Sequence, residues 1–110
     1  MNYNVYISQK ARADLDSIWE YICAELESPI AAMNTISRII DDVQKLSTFP
    51  EGYPRLSSAV SVESDYRFLV SGNYIAFYRV TAPEVYIDRI LYGKRDYLSI
   101  LFGHTDFVQN

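Results

Sequence analysis

One histidine and one cysteine, His104 and Cys23, are all that this chain of 110 residues offers to metal or thiol chemistry. No CxxC or helical His spacing accompanies them, so a tetrahedral metal site lacks ligands and no metal is expected. Cys23 has no internal disulfide partner, and its place between Ile22 and Leu26 in a helical pattern reads as a small buried apolar residue in a reducing compartment. Glycine is sparse as well. Gly52, Gly72, Gly93 and Gly103 stand singly, which excludes a glycine-rich phosphate loop and leaves no cofactor to expect. His104 has no neighbouring Ser or Cys in a nucleophile motif. No apolar run approaches the roughly 20 residues of a membrane helix, and the opening MNYNVYISQK has no basic segment followed by an apolar one. A soluble, cytoplasmic protein without a membrane partner is expected.

Positive charge is also in short supply: 10 Lys and Arg stand against 14 Asp and Glu, for a net charge of −4. Such a molecule is repelled by phosphate backbones, which argues against broad nucleic-acid binding. The deficit is uneven. Residues 1–54 carry four bases and eight acids, whereas residues 55–110 carry six of each.

What is present is a globular composition, 49% hydrophobic and 22% charged, which fits one domain over residues 1–110 with a single shared core. Tyr3 to Ser8 is short, aromatic and β-branched and reads as a strand ending where Ser8 caps a helix. Leu15, Ile18, Trp19, Ile22 and Leu26 then recur at helical spacing, with Trp19 a core anchor. Ser28 and Pro29 restart a helix, whose apolar positions are Met33, Ile36, Ile40, Val43 and Leu46. Phe49-Pro50 ends it. EGYPRLSSAVSVESD, residues 51–65, holds no period and reads as a surface loop. Three strands follow, at 66–70, 74–80 and 85–92, joined too briefly for anything but antiparallel pairing. Leu98, Leu101 and Phe102 mark a short terminal helix. The order is β-α-α-β-β-β plus that helix, an α+β fold with a helical hairpin packed on an antiparallel sheet.

Two residue sets invite a functional reading. Arg67, Arg79, Arg89 and Arg95 fall one on each late strand and one just past the last, with Lys94 beside Arg95; guanidinium groups so spaced can take phosphate or carboxylate in bidentate fashion. For any one of them, ordinary surface ion pairing with Asp65, Asp88, Asp96 or Glu84 is the favoured account, and only as a set do they invite a functional hypothesis. The many tyrosines can stack on bases or move protons, and they also suit a half-buried pleated surface.

The segments YRFLVSGNYIAFYRV and VYIDRILYGKRDYLSILF, with SQKARADLDSIWEYI and FPEGYPR upstream, resemble the RelE/ParE superfamily of bacterial toxins over nearly the whole chain. The resemblance implies the toxin of a type II toxin-antitoxin pair, held silent by a cognate antitoxin that wraps it. Acidic antitoxin residues are then expected at Arg67, Arg79, Arg89, Lys94 and Arg95, with the sheet and the groove beside the hairpin receiving the partner. RelE-like relatives cleave mRNA on the ribosome; ParE-like relatives inhibit DNA gyrase without hydrolysis. Carried over by position, one RelE-type arginine falls on Ile75 and is missing, a second falls on Arg95, and the late tyrosine or histidine falls near Leu101, with Tyr97 and His104 displaced from it. An RNase reading therefore has Arg67, Arg95 and Tyr97 to work with. The missing arginine and the acidic charge favour the ParE-like branch. A toxin-like protein that has lost activity and persists as an antitoxin-binding partner is the third reading.

Overall fold

The computed structural model describes residues 2–61 and 63–103; His104 lies outside them. Strand β1 (Asn4–Ile7) runs into helix α1 (Gln9–Leu26), and α2 (Pro29–Gln44) folds back against it. Ser8 Oγ accepts the Ala11 N–H at 3.0 Å and donates to the Asp88 carbonyl at 2.9 Å, so the helix cap also ties α1 to the sheet. Ser28 caps α2 through the Ala31 N–H at 3.1 Å. A short helix α3 (Leu56–Ala59) precedes strands β2 (Arg67–Ser71), β3 (Tyr74–Thr81) and β4 (Glu84–Tyr92), and α4 (Tyr97–Phe102) ends the described chain.

The sheet order is β1-β4-β3-β2. Strands β2, β3 and β4 pair antiparallel, as their brief connections require, while β1 joins β4 in parallel and makes the sheet mixed. Gly72, at φ 60°, opens the two-residue turn between β2 and β3, where only glycine adopts that conformation without strain. On one face, Ile18 and Ile22 of α1 and Ile39 and Val43 of α2 meet Leu69, Ala76, Tyr78 and Ile87. On the other, α4 and α3 cover Phe77 and Leu91. Trp19 packs half-buried against the first cluster.

Three details depart from the periodicity. Leu26 continues the α1 stripe but stands 63% exposed, beyond the surface that covers Ile18 and Ile22. In α2 the buried face runs through Ala32, Ile39 and Val43, so Met33 is left exposed and Ile40 only half-buried. The segment 51–65 is not simply loop: Pro50–Gly52 forms a 3-10 turn, α3 follows, and Leu56 is fully buried. The Tyr78 hydroxyl donates to the Pro50 carbonyl at 2.5 Å inside the core, and burial raises the phenol's pKa. A tertiary contact thus orders a stretch whose own pattern carries no period.

Candidate partner-binding site

The arginines of the late strands have separate fates. Arg67 donates from Nη1 to the Tyr53 carbonyl at 2.6 Å and holds the preceding segment on the sheet edge. Arg79 pairs with Asp88 at 2.8 Å and lies 5.9 Å from the Tyr66 ring centre; the bond to Asp88 raises the guanidinium's pKa. Asp88 is the extra residue of a bulge, since Phe77 faces Arg89 while Tyr78 faces Ile87. Arg89 is taken up by α1: its Nε and Nη2 reach the Asp14 carboxylate at 2.8 and 2.7 Å, and Asp14 also accepts the Ile90 N–H at 2.9 Å. Parallel pairing with β1 stops at Ile87, and Asp14 supplies the acceptor that a longer strand would have given. Hydrogen bonding to Asp14 raises the pKa of Arg89 in turn.

Lys94 and Arg95 remain. Both are exposed and make no ion pair or side-chain hydrogen bond among the described residues. Gly93 places them: its N–H donates to the Asn73 carbonyl at 2.8 Å, and a Cβ there would stand 3.3 Å from that oxygen. The glycine serves close approach of two chain segments, which fixes where the following cations begin.

Arg95 opens onto a cleft of about 900 Å³ between α1 and the end of the sheet. Ile18, Ile22 and Leu26 form its apolar wall, Tyr21, Tyr74 and Tyr92 its aromatic rim, and Glu25 stands among the same lining residues. Burial, then the proximity of Tyr21 and Tyr92, raises the pKa of Tyr74. The cleft is the core stripe of α1 left open at one end, with Arg95, unpaired among the described residues, on its rim. An amphipathic segment carrying a carboxylate fits such a site.

Arg67, Arg95 and Tyr97 are not brought together. Arg67 stands opposite Tyr78 at one end of β2, Arg95 follows the far end of β4, and Tyr97 packs on Phe77 on the other face of the sheet, 5.1 Å between ring centres. The residues that sequence reasoning missed are Asp14, Tyr21, Glu25 and Leu26. Leu26 carried a signal, a stripe that continues to the last residue of the helix; Asp14 carried none, since its partner lies 75 positions away.

The profile of the ParE toxin family, described as the ParE toxin of the type II toxin-antitoxin system parDE, matches residues 5–97. Among solved structures, the chain is similar to one from a chromosomal ParDE toxin-antitoxin system of P. aeruginosa, with a TM-score of 0.70, 25% identity, and 82% of this chain and 95% of the other covered. It also shares the fold of a chain in the RelBE2 toxin-antitoxin complex of Mycobacterium tuberculosis, with a TM-score of 0.60, 18% identity, and coverage of 84% and 99%. No curated protein matches it. With a family match spanning most of its length and the α+β fold of these toxins, the chain belongs to the ParE toxin family of type II toxin-antitoxin systems.

Proposed function

We propose that the chain inhibits DNA gyrase by binding, in the ParE manner, and that a cognate antitoxin silences it by laying an amphipathic segment into the cleft beside α1. The observation that carries the reading is the separation of Arg67, Arg95 and Tyr97. RNA cleavage at a 2′-hydroxyl needs cations and proton carriers around one phosphate, and these three stand at different ends and faces of the sheet. The net charge of −4 supports the same branch, because a ribosomal site rewards a basic surface. For the antitoxin, Arg95 is the cation of the cleft rim without an ion pair among the described residues, whereas Arg67, Arg79 and Arg89 are engaged within the chain.

Purified protein is expected to block supercoiling by gyrase or to accumulate cleaved gyrase–DNA complexes, and to leave mRNA on stalled ribosomes intact. Cleaved mRNA with unaffected gyrase would reverse the assignment, and absence of growth arrest would leave only antitoxin binding. Arg95→Glu should weaken antitoxin binding by about tenfold or more through like-charge contact, with unchanged thermal stability.

A further inference from the structure

Between Arg12 and Arg38 the chain has no lysine or arginine, yet it carries Asp14, Asp16, Glu20, Glu25 and Glu27. Arg89 neutralises Asp14; the other four carboxylates make no ion pair among the described residues. Two of them stand where they weaken the fold. Glu25 lies in the last turn of α1 and Glu27 is its C-cap, at the negative end of the helix dipole, where a cation is favoured. Glu27 also holds φ at 50°, a conformation that suits glycine. Stability of the hairpin does not account for either.

The same tip is apolar. Ile30 and Met33, one turn apart on α2 and outside the cleft lining, are 73% and 58% exposed, with exposed Leu26 just across the connection. Isolated apolar side chains on a surface are ordinary, but Ile30 and Met33 on one turn of α2, with Leu26 across the connection and Glu25 and Glu27, without ion pairs among the described residues, beside them in sequence, form a docking patch. Its charge selects the partner: phosphate is repelled, while ammonium and guanidinium groups are attracted. We infer that the tip of the helical hairpin is the surface by which the chain grips its cellular target, and that it takes a basic, apolar protein segment. The inference rests on the toxin reading above and gives target and antitoxin adjoining surfaces, the tip and the cleft, which meet at Glu25 and Leu26.

Two variants of the full chain test it, Ile30→Ser with Met33→Ser and Glu20→Gln with Glu27→Gln; all four positions lie outside the cleft. Both variants should fold, the first with the parent's melting behaviour and the second melting at or slightly above it because the Glu27 charge at the helix C-terminus is relieved; both should keep antitoxin binding and lose growth arrest on induction without antitoxin. A fluorescent amphipathic Lys/Leu helical peptide should bind the parent about tenfold more tightly than its Glu/Leu counterpart; Glu20→Gln with Glu27→Gln should reduce that preference, and Ile30→Ser with Met33→Ser should weaken binding of the Lys/Leu peptide. Undiminished arrest in both variants overturns the inference, as does loss of antitoxin binding together with arrest, or equal binding of the two peptides. Concentration-dependent dimers of the parent that the variants abolish would also overturn it, by assigning the patch to a second copy of the chain. Absence of arrest by the parent itself fails the toxin reading instead, and the peptide measurement still decides the chemistry of the tip.

Discussion

Asp14 holds three donors with one carboxylate: two from the Arg89 guanidinium and the Ile90 N–H that lies past the reach of β1. The pair is mostly sheltered, 11% of the Asp14 side chain and 23% of the Arg89 side chain being accessible. Removing one partner leaves the other charged and poorly solvated, which costs more than the pair contributes. Asp14→Ala should therefore destabilise the chain by about 3 kcal/mol in urea unfolding, the low end for a buried pair because the site is at the sheet edge. Arg89→Lys should recover little of the loss seen with Arg89→Ala, since an ammonium cannot span both carboxylate oxygens. Equal stability of the Lys variant and the parent would show that charge alone matters there.

At the scale of elements, the helical hairpin closes through a residue under strain. Ser28 and Pro29 start α2 well, but Glu27 must turn the chain with a left-handed backbone while carrying an acidic side chain at the C-cap of α1. Glu27→Gly removes both penalties against the added flexibility of glycine in the unfolded chain, and a gain of about 0.5–1 kcal/mol is expected in thermal or urea melts. Glu27→Ala relieves only the charge and should gain less. The antiparallel hairpin, the three late strands and the terminal helix were legible before any coordinates, because caps, turns and periodicity are local. The buried face of α2 was not: Met33 and Ile40 obey the same spacing as Ala32, Ile36 and Ile39, and only the angle at which the helix meets the sheet chooses between them.

For the molecule as a whole, α2 and β2 are joined by a contact that responds to acid. The Ser71 hydroxyl donates to Asp42 at 2.6 Å and lowers the pKa of that carboxyl; burial opposes the shift, and Lys45 at 3.2 Å assists it. The folded chain thus binds this proton less readily than the unfolded one. The stabilisation is complete above the unfolded value of about 4 and is lost as pH falls through the lower folded value. Ser71→Ala should cost about 1–2 kcal/mol near neutral pH and flatten the decline of stability below about pH 4, read from denaturation at a series of pH values. An acid limb identical to that of the parent would count against the contact.

The element order, the helix caps, the shortage of basic residues and the resemblance to RelE/ParE toxins are properties of the chain read in one dimension, and the sequence by itself determined them. The arginines show where that reading stops. Arg67, Arg79, Arg89 and Arg95 are alike in composition and spacing, yet three are engaged within the fold and one faces the open cleft. That difference comes from which element topology lays beside each strand: α1 against the end of β4, the segment before α3 against β2, the bulge at Asp88 beside β3. Side-chain periodicity repeats every few residues, whereas an ion pair such as Asp14 with Arg89 spans 75 positions and exists only once packing has brought its halves together. Tertiary structure alone decided which charges are left for a partner.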